Sequence, residues 1–256
     1  MTTTSGRLAP VAAVLAAGAF VVACSGGGGS TSKASEPESS TAGDLGVETA
    51  GLSPTIDNPY VAFSAIRRAA YEGTEGDADT GETVTIGVES VPRGETTTIA
   101  DVEVAIVDVT DSEDGAVVEQ TEDYYAQDSD GTVYYVGEGV DDLEDGDVVG
   151  HGGEWRAGQD GNRAGVFMPA EPAVGVEFEQ ERAPGIAEDR SRIVAVGITV
   201  TVPAGTFTDC IETEDLDPID DVTEHKVYCR GVGLVREVFP TGGSLDLVEV
   251  EFVGGR

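Results

Sequence analysis

The sequence predicts an all-β protein, an antiparallel meander forming a strongly curved sheet or an up-and-down barrel behind an export signal and a disordered tether. Three observations predict it. Beyond residue 57, short runs rich in Val, Thr and Tyr alternate apolar and polar side chains with period two. Gly/Asp clusters separate these runs, and no sustained helical periodicity follows the N-terminal apolar stretch. Strands joined by short turns pair with their neighbours, and about a dozen of them accumulate too much twist to lie flat. A curved sheet or barrel is therefore favoured over a sandwich.

In chain order, the first element is the run Val11 to Cys24, preceded by Arg7 as the only charged side chain. Its length is that of a signal-peptide core rather than a membrane span, so residues 1–23 are read as an export signal. The run ends Val21-Val22-Ala23-Cys24, which resembles the lipobox of bacterial lipoproteins, in which the cysteine is lipidated and becomes the first mature residue. The expectation is a protein anchored by lipid on Cys24 to the outer face of the cell membrane. Residues 24–57 carry almost no large apolar side chain and predict a disordered Gly/Ser-rich tether. About thirty such residues span roughly 30 Å.

Residues 58–256 form the predicted single all-β domain. Its strands are placed at 67–73, 82–90, 95–109, 116–127, 132–137, 148–156, 174–181, 190–202, 206–214, 222–230, 232–239 and 245–253, with a helical turn at most between Pro59 and Ala70. In the clearest strand, Val194, Val196, Ile198, Val200 and Val202 fall on one face. A four-residue turn at Asp128 to Gly131 would set Tyr125 opposite Tyr134 and Tyr124 opposite Tyr135.

Lipidation of Cys24 leaves Cys210 and Cys229 as an even pair in an oxidising compartment, and a disulfide is predicted between them. Placing them opposite each other pairs Ile211 with Tyr228, Glu214 with His225, Phe207 with Val232 and Asp209 with Arg230. In that register Phe207, Ile211, Tyr228 and Val232 form the core face, and the cysteines lie on the other side with Glu212 and Glu214.

Composition bounds the partners. The chain has 14 basic and 49 acidic residues; cleavage would remove Arg7 and no acid, leaving 13 against 49, a net charge of −36. That field repels nucleic acid and anionic headgroups. Lysine occurs only at positions 33 and 226, and an acid-rich, lysine-poor surface fits a high-salt medium.

Catalytic chemistry is mostly missing. His151 and His225 are the only histidines, and neither zinc-ligand spacings, a nucleophile elbow nor a complete dinucleotide loop occurs. No enzyme, metal or cofactor is predicted. Asp128-Ser129-Asp130-Gly131 reads as a turn, lacking the bidentate Glu of a calcium loop at Gly139. Asp141 to Asp147 and Glu212 to Asp221 are acidic loops that read as solvated loops, with calcium as the alternative. Trp155, Phe167 and Met168 lie in a glycine-interrupted region and are the candidate ligand-binding residues, unless Trp155 instead plugs one end of a barrel.

Several segments resemble a group of uncharacterised bacterial secreted lipoproteins. They are Trp155 to Gly158, Met168 to Gly175, Ala183 to Asp189, Val200 to Phe207, Glu224 to Lys226 and Gly231 to Val238, with shorter likenesses at Asn58 to Tyr60, Tyr71 to Gly73 and Tyr125 to Asp128. The resemblance implies an exported β-rich domain and supplies no catalytic role. The functional expectation is a non-enzymatic binding module, anchored through Cys24, for a small or apolar ligand. The alternative is an envelope structural or protein-interaction domain, with calcium at its acidic loops.

Overall fold

The computed structural model describes residues 43–76 and 82–255. Residues 1–42, with the predicted signal, Cys24 and most of the tether, lie outside the described residues. A 3₁₀ turn at Phe63–Ala65 precedes fifteen strands. They are β1 (Ile66–Gly76), β2 (Thr83–Ile99), β3 (Val102–Glu113), β4 (Ala116–Gln127), β5 (Val133–Glu144), β6 (Asp147–Gly150), β7 (Trp155–Arg156), β8 (Arg163–Met168), β9 (Glu177–Glu179), β10 (Glu181–Arg182), β11 (Arg190–Val202), β12 (Gly205–Asp217), β13 (Val222–Cys229), β14 (Gly233–Val238) and β15 (Gly243–Phe252).

All pairings are antiparallel, and the predicted all-β meander is what forms. The order runs β10-β8-β5-β4-β3-β2-β1-β15-β14-β13-β12-β11-β9, with β6 and β7 also pairing with β5. The ladder is one curved sheet that does not close on itself. Its two ends nevertheless meet, because only Gln180 separates the last residue of β9 from the first of β10. At this seam the amides of Gln180 and Glu181 both donate to the Asp189 carbonyl, at 2.8 and 3.2 Å. Gly165 on β8 makes the approach possible, since a Cβ there would be driven into the Gln180 carbonyl.

The inward side chains change along the strands. On β4 they run Tyr125, Asp123, Thr121; on β12, Ile211, Thr213, Asp215; on β3, Val107, Val109, Asp111; and all are buried. One half of the interior is thus apolar and aromatic, and the other is lined with carboxylates. The N-terminal segment covers the apolar end. Ser53 bridges Gln127, the Gln127 side chain accepts from the amides of Asp57 and Asn58, and Val61 is buried.

This covering segment corrects the predicted tether, which was carried through residue 57. Leu45 and Ile56 are fully buried, and Val47 and Leu52 pack on the core. Each is isolated in a polar stretch, but their spacing along an extended chain reaches the sheet, and Leu45 O accepts from Ala164 N at 2.9 Å.

Other corrections concern turns and bulges. Residues 95–109 do not form one strand, because the chain reverses at Ala100 and Asp101 in left-handed conformation (φ 46° and 65°) without glycine or proline. The 148–156 and 174–181 runs each divide into two short strands, and β8 was not anticipated. The tyrosine hairpin has a five-residue loop, because Asp128 Oδ1 accepts from the amides of Asp130, Gly131 and Thr132 and draws Thr132 into the turn. Tyr125 therefore faces Tyr135, and Ala126 faces Tyr134. In β11, register shifts between 193 and 200 and a left-handed Gly197 break the expected single face, turning Ile193 inward and leaving Val196 exposed.

Cys210 and Cys229 are disulfide-bonded and directly opposed, with Cα atoms 4.0 Å apart. Ile211 pairs with Tyr228 and Glu214 with His225, in the expected register. The ladder stops at the cysteines, so Phe207 does not meet Val232 and Asp209 does not meet Arg230. Asp209 is left-handed (φ 54°), and on the other strand Val232 N turns back to Cys229 O at 3.1 Å. The cysteines are also buried rather than outward. Beside them the 58–61 segment closes over the β13–β14 turn, with Gly231 N donating to Pro59 O at 2.7 Å.

Candidate functional site

Trp155, Phe167 and Met168 come together inside the sheet and are all buried. The Phe167 ring lies 5.0 Å from Tyr125 and 6.0 Å from Tyr135, the Tyr125 and Tyr135 rings stack at 5.0 Å, and Trp155 meets Tyr135 edge-on at 5.5 Å. Trp155 Nε1 donates to Glu181 Oε1 at 3.4 Å. This is packing of the kind that fixes a core. The apolar half keeps a cavity of about 40 Å³ beneath Tyr60 to Phe63, lined also by Phe167 and Tyr228. Water fits such a space, whereas small-molecule pockets begin at about 300 Å³.

The polar half holds Glu75, Asp111, Asp123, Glu138, Glu181, Asp189, Asp215 and Glu237, all buried, together with Lys226, the one buried basic side chain among the described residues. Lys226 Nζ lies 3.3 Å from Glu237 and 3.7 Å from both Asp215 and Glu224. Burial lowers the affinity of that amine for its proton, but Glu237, Glu224 and Asp215 together hold its pKa well above the ordinary lysine value. Burial raises the carboxyls: Glu75 and Glu119 are pushed up to about 7 and Asp189 to about 8. Asp111, Glu138 and Glu181 also go well above the carboxylate range, through burial first and neighbouring carboxylates next, and Glu237 does so through burial although Lys226 opposes it. Ionised carboxylates are costly in such a medium unless paired, and Lys226 is the cation that pairs with those nearest it.

Among the described residues no group of three or more His, Cys, Asp and Glu is disposed to hold a metal ion, the acidic loops at 141–147 and 212–221 included. Of the histidines, His151 is exposed, with Nδ1 2.7 Å from Val140 O and 3.1 Å from Asp141; the backbone contact and then the acid raise its pKa. His225 Nδ1 lies 3.0 Å from Glu212.

A ligand-sized space lies elsewhere among the described residues. On the outer side of the seam, Gly161, Arg163, Glu179, Glu181, Arg182, Pro184, Glu188 and Arg190 surround an open hollow of about 420 Å³. Register places its side chains. Glu181 pairs with Ala164 and both are buried, so the next pair, Arg182 and Arg163, points outward. Arg190 begins β11 opposite Glu179. Arg182 Nε lies 3.3 Å from Glu179, and its Nη1 donates to Ala164 O at 3.3 Å. Glu188 Oε1 accepts from Gly185 N at 2.8 Å, which fixes the turn forming one wall. The stem of Arg163 rests against Gly46, where a Cβ would come within 2.6 Å of Cδ.

The sequence reading did not single out these residues. Its one usable signal was the scarcity of basic groups, which makes three arginines in one hollow conspicuous once the seam brings them together.

No family model, curated protein or solved structure matches this chain. The functional reading rests on the site itself.

Proposed function

We propose that this chain is a non-enzymatic, extracytoplasmic binding module, held at the outer face of the membrane by lipid on Cys24, which takes a small ligand at the seam. The observation that carries the reading is the contrast between the two spaces. The interior offers about 40 Å³ and the seam hollow about 420 Å³, within the range of small-molecule sites. On this reading the ligand sits outside the sheet rather than within it. Export is supported by the Val21 to Cys24 segment and by the Cys210–Cys229 disulfide, which suits an oxidising compartment. The resemblance to secreted lipoproteins agrees with the same placement.

The test is ligand recovery by native mass spectrometry of the full chain isolated from its own envelope, alongside a Pro184→Trp form whose indole fills the hollow. A small molecule retained by the first and lost from the second supports the reading. A ligand retained equally by both, or a chain that carries none and gains no thermal stability from any compound class, overturns it.

A further inference from the structure

We propose that the seam hollow is an oxyanion site, built to hold the carboxylate or phosphate group of a small molecule between Arg163, Arg182 and Arg190. This rests on the reading of the hollow as the ligand site and names the chemistry of what enters it.

Arg163 and Arg182 are direct cross-strand partners on the outer face of β8 and β10. Like charges facing each other across two strands are destabilising, and this chain had 49 acidic side chains against 14 basic ones from which to supply an opposite charge. At four other arginines it does so. Arg68 holds Glu89 and Glu249, Arg93 holds Asp108 and Glu122, Arg192 holds Glu214 and Arg236 holds Asp246. At the seam two arginines face each other, with a third, Arg190, on the same hollow.

The acids of the hollow neutralise only part of this group. Glu179, opposite Arg190 by register, is turned to Arg182; Glu188 accepts from the Gly185 amide; Glu181 points into the interior and to Trp155. Among the described residues the guanidiniums of Arg163 and Arg190 have neither an ion pair nor a hydrogen bond. Two planar forks with free donors, flanking a third that is already oriented, match the two-oxygen edge of a carboxylate or phosphate. Held there, the anion would supply the counter-charge that Arg163 and Arg190 lack among the described residues.

Isothermal titration of the mature chain from Cys24, made without its lipid, tests this at fixed ionic strength. The probes are succinate, glycerol 3-phosphate, neutral glycerol and cationic putrescine. Vesicles of phosphatidylglycerol and of phosphatidylcholine are separate arms that distinguish a lipid headgroup from a free solute. Expected is binding of at least one anionic probe, no binding of glycerol or putrescine, and weakening of tenfold or more in R163Q/R190Q. An R67Q control, at an exposed arginine away from the hollow, should leave affinity unchanged. Binding confined to phosphatidylglycerol vesicles and lost in R163Q/R190Q supports the same chemistry with a lipid as its source. Glycerol or putrescine binding that Pro184→Trp abolishes overturns the oxyanion assignment while leaving the hollow as the ligand site. Anion binding unaffected by R163Q/R190Q, in a variant with unchanged melting temperature, overturns it too. Silence of every probe, with no ligand recovered from the envelope, removes both.

Discussion

Asp123 and Glu138 are directly opposite each other on β4 and β5, and both are buried. Asp123 accepts from Thr121 Oγ1 at 2.8 Å and from the Tyr125 hydroxyl at 3.2 Å, while Glu138 accepts from the Tyr135 hydroxyl at 3.1 Å. Two carboxyls so placed cannot both ionise at low cost. Burial pushes Asp123 up to about 6 and raises Glu138 well above its ordinary value, with Asp123 as the next cause.

The first prediction is that stability falls as pH rises. These carboxyls, with Glu75, Glu119 and Asp189, bind protons more tightly folded than unfolded, so between about pH 4 and pH 8 the native state holds more protons. The slope of unfolding free energy with pH is then negative. Loss of net negative charge on acidification acts in the same direction. Urea midpoints at constant high salt should decrease steadily from pH 5 to pH 8; a flat or rising series would refute the assignment.

Replacing the pair with neutral isosteres should remove part of that slope. Asp123→Asn with Glu138→Gln is expected to raise stability at pH 8 by on the order of 1–3 kcal/mol, since charge burial is removed while shape is kept. At pH 5 the effect should shrink toward zero. Chemical denaturation at the two pH values reads the difference.

Cys210→Ser with Cys229→Ser opens a loop with a sequence separation of 19. Chain entropy assigns such a crosslink roughly 3 kcal/mol. Both sulfurs are buried, so the replacement hydroxyls add a polar penalty. Thermal melts with and without reductant should converge for the variant and differ for the parent.

Gly165→Val should open the seam specifically, because its side chain would collide with the Glu179–Gln180 backbone. Hydrogen exchange would then quicken at 163–168 and 177–190 while β1 to β4 stay protected. Uniform loss of protection would mean that the seam is not a separable part of the sheet.

If Cys24 carries the proposed lipid, Cys24→Ser abolishes lipid labelling and shifts the chain out of the membrane fraction. Unchanged labelling or fractionation would count against the anchor.

Much of the sheet was legible where alternation ran uninterrupted. The spans 116–127 and 190–202 coincide with β4 and β11, and the cysteine register follows from pairing apolar with apolar and acid with histidine. What escaped was left-handed backbone away from glycine-marked turns, at Ala100, Asp101 and Asp209. The Asp128 loop slipped by one residue because side-chain capping, rather than loop sequence, drew Thr132 into the turn. The buried carboxylates were invisible for a different reason: period-two patterning reads acids as solvent-facing, whereas one half of this interior is built from them. The seam hollow was the least legible of all. Arg163, Arg182 and Arg190 belong to three separate strands, and only the meeting of β10 with β9 around Gln180 makes them neighbours.

The most direct measurement of the central claim is amide hydrogen exchange of the full chain with and without the ligand recovered from its envelope. Binding at the seam predicts added protection at 161–163 and 179–190, with no change at 60–71 and 228–234 around the small interior cavity. Protection centred on that cavity, with the seam unaltered, would contradict it.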